Sequence, residues 1–199
     1  ADALATVNPV ISTGDNGLFG VGAVQAPLVV PGPDSSFGVA ELSTEAWRAG
    51  HEPTAARADA LRALHAGETG HILVDAYARQ QRSTFEITAR LSDVVKAVPG
   101  SALVPSAIDA GFAPLIRQGQ VTTALGRQLY QVAKLIAHNA TVQGNRRLFF
   151  AQQGGYDTHA GQIVAGDARQ GQHALLLAEL ARALACFQQA MVNLGLEQQ

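Results

Sequence analysis

In the last quarter of the chain the sequence reads Gly154-Gly155-Tyr156-Asp157-Thr158-His159. Asp157 offers a hard carboxylate oxygen and His159 an imidazole nitrogen. Both donors suit a divalent ion such as zinc, manganese or, for the carboxylate, calcium. On a helix, side chains two positions apart point different ways; on an extended loop, alternate side chains share a side and could reach one ion. Metal ligands are usually held by outer partners, and Gln153, Thr158 and Gln162 are the candidates here. A second reading needs no ion: Asp157 accepts backbone N–H bonds and His159 packs near a helix start. No general base stands beside Thr158, so no catalytic residue is assigned.

Other chemistry-bearing residues carry less. His173, in the first turn of the final helical segment, could complete a site with Asp157 and His159 but reads first as a surface histidine. His138 sits at a helix end, where a ring can meet the last carbonyls. His51, His65 and His71 have no acidic or nucleophilic neighbour in a telling pattern. Asp15-Asn16-Gly17 is turn chemistry. Cys186 falls within an apolar helix and is expected to pack as a small hydrophobe. Arg146-Arg147 could meet an anion, yet a pair of arginines before a strand reads as a solvated edge. Ser12, Ser35, Ser36 and Ser43 lack the strand–turn–helix context of an activated serine.

The elements that must position these residues follow from periodicity. Residues 1–53 are rich in Gly, Pro and β-branched side chains and read as strands and loops. Val10-Ile11-Ser12 and Gly17-Leu18-Phe19 flank a hairpin-like turn, and a strand from Ala26 to Val30 stops at Pro31-Gly32-Pro33. Residues 54–120 read as helical. Thr54 is placed to cap a helix to about Ala66 with Leu61 and Leu64 inward, and a longer helix runs from about His71 to Val98. Ser101 to Gln120 reads as a loop with short turns. In residues 121–199, Thr122 or Thr123 caps a helix to about Asn139 with Leu125, Leu129, Val132 and Ile136 as its stripe. A buried strand over Arg147–Gln152 leads into the polar loop. A final helix follows from about Ala168 to Asn193, with Leu177, Leu180, Leu184, Phe187 and Met191 toward a core and Gly195 as its left-handed stop. Helix, strand, polar loop, helix is the grammar of an α/β layer, in which ligands sit beyond the carboxyl ends of strands.

The chain has 199 residues, enough for one domain or two small ones. Apolar residues make up 47% and charged residues 15%, which argues for a folded core rather than disorder. Fourteen basic against sixteen acidic residues give a net charge of −2, with no basic excess to neutralise a nucleic-acid backbone. No run of about 18 apolar residues occurs, so no membrane span is expected. A single cysteine excludes an intrachain disulfide and a multi-cysteine zinc site. Ala1 to Pro9 has neither the basic start nor the apolar run of a signal peptide.

One resemblance covers much of this. Gln128 to Ile136 (QLYQVAKLI), then Arg146-Arg147-Leu148-Phe149-Phe150, Gly154 to His159, and His173-Ala174-Leu175-Leu176 together resemble a large bacterial family of exported proteins, domain of unknown function 1501. Its members carry a twin-arginine export signal and are grouped with the alkaline phosphatase and sulfatase superfamily. Pro9 to Ser12 with Asn16 to Phe19 fits more loosely. The resemblance implies a helix-rich portion of an alkaline-phosphatase-like α/β/α sandwich with few strands, and periplasmic or extracellular location. It implies Asp157 and His159 as an aspartate–histidine metal pair, and a small phosphate or sulfate ester as substrate. The family's first-strand Gly-Gly segment and its later Ser-Asp-Phe-Gly-Arg-like and Asp-His-Gly-Trp-like segments do not occur here. The chain is therefore expected to be an interior portion, a single domain or fragment, inactive by itself. Its partners would be the remaining segments of its parent or a second copy. The alternatives are a non-catalytic periplasmic or secreted binding or structural module, and a small helical domain in which Asp-Thr-His is incidental.

Overall fold

The structure, a computed structural model, describes residues 9–14, 21, 27–35, 37–38, 52–142, 147–164, 166–167 and 169–198. The protein is mixed α/β, helix-rich with two small sheets among the described residues. Strand β1 (Val10–Ser12) lies between β2 (Leu28–Val29) and β5 (Leu148–Phe150), and both pairings are parallel. In register, Ile11 stands opposite Leu28 on one side and Phe149 on the other. The expected hairpin partner Gly17-Leu18-Phe19 lies outside the described residues. Parallel strands need crossovers, and the one from β2 to β5 is helical.

That crossover contains α1 (Glu52–Leu64), α2 (Ile72–Lys96), α3 (Ser106–Phe112), α4 (Ala124–Ala137) and the single turn α5 (Asn139–Val142). Helix α1 begins two residues before Thr54, which is therefore inside it rather than its cap. Leu64 is exposed, against the expectation that it faces inward. In α2 the inward stripe is as expected: Leu91, Val94 and Val95 are buried, with Ile87 packed against them. These residues join Ile11, Val30, Leu135, Val142 and Phe149 in one apolar cluster, so α2 and α4 cover a face of the sheet. The first turn of α2 is held differently: Asp75 accepts from the Thr69 and Gly70 amides at 2.7 and 3.1 Å and folds the preceding loop back.

The stretch from Ser101 to Gln120 is not a loop. It forms α3, a 3-10 turn (Ala113–Leu115), and a two-stranded hairpin of β3 (Ile116–Arg117) and β4 (Gln120–Val121). Ile108, Phe112 and Leu115 recur at helical spacing and are buried. Pro105 and Pro114 sit at helix starts, where a missing N–H costs nothing. Thr123 caps α4 by accepting from the Gly126 amide at 3.1 Å. The final helix α6 (Gln172–Asn193) packs on α3 and α4 through Ala183, Cys186, Ala190 and Met191. Cys186 thus packs as expected. Leu177 and Leu184, expected inside, are 55% and 50% exposed. Gly195 ends α6 at φ +70°.

Helix α4 lies between two apolar clusters and carries the polar bolt that joins them. Lys134 is fully buried, and its Nζ donates to the carbonyls of Val94, Val95 and Ala97 at 2.9, 3.0 and 2.6 Å. Those are end-of-helix oxygens of α2 with no intrahelical partner, carrying the negative end of its dipole. One turn earlier, Tyr130 donates to Asp109 Oδ1 at 2.7 Å, and Asp109 Oδ2 accepts from the Gly100 amide at 2.8 Å.

Candidate functional site

The carboxyl ends of β1 and β5 lie side by side. The Thr13 amide donates to the Phe150 carbonyl at 2.9 Å, extending the pairing past the last strand residue. From β1 the chain leads to β2 on one side, whereas β5 lies on the other, so the two strand ends flank a topological switch point. Ser12 and Thr13 are buried there. Gln128 of α4 grips the start of the next segment with both ends of its amide. Its Nε2 donates to the Gln152 carbonyl at 2.8 Å, and its Oε1 accepts from the Gln152 amide at 2.7 Å. A Cβ on Gly14 would stand 2.8 Å from Gln152 Cγ, so only glycine fits the approach without a shift.

Beyond Gln152 runs the polar loop. Besides the Gln172 amide, which donates to the Gly161 carbonyl at 2.9 Å, three side-chain bonds fasten it to α6. Gln153 Nε2 donates to the Leu176 carbonyl at 3.1 Å, and Tyr156 donates from its hydroxyl to Gln153 Oε1 at 2.9 Å. The His173 ring meets the Tyr156 carbonyl through Nε2 at 2.9 Å and Gln162 Nε2 through Nδ1 at 3.3 Å. A carbonyl only accepts, so Nε2 bears the proton and Nδ1 accepts from the glutamine. His173 is therefore the peg of the loop, not a third ligand beside Asp157 and His159. Gln153 and Gln162, expected to steady the pair directly, act at one remove by bracing the loop.

Asp157 and His159 do converge: Oδ1 and Nδ1 are 3.0 Å apart. The reason differs from the extended-loop expectation. His159 has φ +36°, and the Ala160 amide donates back to the Thr158 carbonyl, so a tight turn swings the ring over the carboxylate. Positive φ is uncommon outside glycine, though His, Asn and Asp enter it more than most. Both side chains are open to solvent, at 80% and 87% exposure. No third His, Cys, Asp or Glu gathers with them among the described residues. Two donors fall short of the three or four protein ligands that a zinc site takes. The pair thus fits one side of an ion whose other ligands come from elsewhere, and by itself fits only a loosely held, mostly water-coordinated one.

His138 is at the end of α4 as expected, and its Nε2 lies 2.6 Å from the Leu103 carbonyl. Ser12 closes β1 and Thr13 follows it before Gly14, so the signal in the sequence is a pair of small polar residues after Val10-Ile11. Gln128 and Gln152, 24 positions apart, share no pattern that a linear reading detects. Comparison with known proteins returns no match to a family model, a curated protein or a solved structure.

Proposed function

We propose that this chain is a portion of an exported, metal-dependent hydrolase of phosphate or sulfate esters, with Asp157 and His159 as two of its metal ligands. The observation that carries the reading is their 3.0 Å approach on the loop that follows a parallel strand's carboxyl end. The likeness to the exported bacterial family supports it, and with it an alkaline-phosphatase-like sandwich around the β2-β1-β5 sheet. When bound, the metal would polarise the ester oxygen and activate a nucleophile. This chain's own residues hold the donors in place: Gln128 fixes the exit from β5, and His173 pins the loop to α6. With only two ligands, the chain alone is inactive in this reading. Metal analysis after dialysis against zinc or manganese tests it. The expected result is weak binding, lost in both Asp157→Ala and His159→Ala, with aryl phosphate and sulfate hydrolysis at background. Binding that both substitutions leave intact rules the pair out.

A second reading, a non-catalytic periplasmic or secreted binding or structural module, is favoured by α6. Its outward face carries Leu177, Leu184 and Val192, all exposed, opposite a face already packed on α3 and α4. A helix apolar all round is normally covered on both sides. In this reading the cover is the remainder of the parent protein. By length and composition α6 is also apolar enough to cross a bilayer.

A further inference from the structure

Helix α6 packs on α3 and α4 with one side and leaves the other open to solvent. On the open side Leu177, Leu184 and Val192 are 55%, 50% and 44% exposed, and Ala178, Ala181 and Ala185 are exposed between them. The helix carries Glu179 and Arg182 as its only acidic and basic residues, and neither is central to that side. Glu179 is half-buried and accepts from the Leu125 amide of α4 at 3.4 Å. Arg182 stands about 100° round the helix axis from Ala181. A charged partner therefore finds nothing to pair with along this face, whereas a second copy of the chain meets no like charge.

The order of side-chain sizes favours the second copy. Two α6 helices can run antiparallel about a two-fold axis at Ala181. Leu177 then stands opposite Ala185 of the second copy, Ala178 opposite Leu184, and Ala181 opposite itself. Each leucine meets an alanine, and the smallest side chain falls where the two axes come closest. The same register carries Val192 to the start of α6 in the second copy, beside Ile163. The Ile163 Cα lies 2.8 Å from a Cβ built on Gly171, and its side chain is 49% exposed.

We propose that the protein self-associates through this face as an antiparallel pair of α6 helices. A seam along the 22 residues of α6 is about 33 Å long and about 10 Å wide. Each copy thus contributes roughly 300–400 Å², below the roughly 800 Å² per partner of a standard stable complex. The pair is therefore in exchange, with a Kd of roughly 10–100 μM, and the face is free in dilute solution. The inference does not rest on Asp157 and His159.

Sedimentation of the full chain from about 5 to about 500 μM tests it, since association of this strength responds to concentration. The expected result is a reversible rise from one to two copies. Leu184→Glu places a carboxylate in the seam and is expected to weaken the association at least about tenfold, with an unchanged circular dichroism spectrum. Asp157→Ala is expected to leave the association as it is. A second measurement fixes the register. Cysteine at the two-fold axis in Ala181→Cys comes within disulfide reach of its own copy and is expected to cross-link under mild oxidation. Glu197→Cys, far from the axis, is expected not to. The wild type, whose single Cys186 is buried, is the control. A chain that stays a single copy at the highest concentration overturns the proposal. So does association that Leu184→Glu leaves unchanged, or cross-linking at residue 197 equal to that at residue 181.

Discussion

Lys134 shows how a single side chain can hold two layers together. Its ammonium has three donors, and three carbonyls at the end of α2 receive them. Burial pushes its pKa down from 10.5 to about 7, against the pull of the Asp109 carboxylate. The sign of the pH effect follows. Between pH 7 and 10.5 the unfolded chain still binds a proton that the native Lys134 has released, so this group makes stability rise with pH over that window. Urea midpoints measured from pH 6.5 to 10 are expected to show that rise in the wild type relative to Lys134→Met, which lacks the group. Parallel curves for the two proteins would show that Lys134 keeps its ordinary pKa. The substitution also strips three carbonyls of their donor, at a cost of about 1–3 kcal/mol at low pH. Burial, and the bond from its hydroxyl to Asp109, push the Tyr130 phenol up as well, so that it stays a donor across the whole range.

At the scale of elements, α3 and α6 come closest together. A Cβ built on Gly111 would lie 2.6–2.8 Å from the Ala190 amide nitrogen, Cα and Cβ, and backbone cannot give way as a side-chain tip can. Gly111→Ala is therefore expected to destabilise the protein by about 1–3 kcal/mol, despite alanine's better helix propensity. A shift of the denaturant midpoint in the stabilising direction would show that the helices are not in this contact. Thr123→Ala removes the cap of α4 and is expected to cost about 1 kcal/mol, whereas Thr122, one position earlier, bonds the Leu115 carbonyl instead. The sequence left Thr122 and Thr123 as equal candidates, since both precede the same apolar stripe. The hairpin of β3 and β4, which bonds Thr122 back to Leu115, decides between them.

Across the whole molecule, α2 and α4 pack on the parallel sheet, and α6 packs on α3 and α4 with small residues inward. Ala183, Cys186 and Ala190 let it sit close to α3, while Leu177 and Leu184 lie on the outer face. Leu184→Glu is expected to change stability by less than about 0.5 kcal/mol, whereas Ala183→Leu overpacks the contact and costs about 1–3 kcal/mol. Equal effects of the two substitutions on Tm would mean that the outer face is not free. The loop with Asp157 and His159 depends on this docking, because His173 and Leu176 of α6 supply its anchors.

The sequence alone determined where most elements lie, the inward stripes of α2 and α4, the stop at Gly195 and the polar loop after β5. These are local matters, set by apolar period, capping residues and turn formers within a few positions. Tertiary structure decided the rest. Ser101 to Gln120 became a helix and a hairpin because Ile108, Phe112 and Leu115 found the face of α6 to bury against. The outward turn of Leu177 and Leu184 followed from alanines that permit closer packing than leucine does. Only the fold brought Gln128 to Gln152 and Lys134 to the end of α2. Partners tens of positions apart leave no period in the chain.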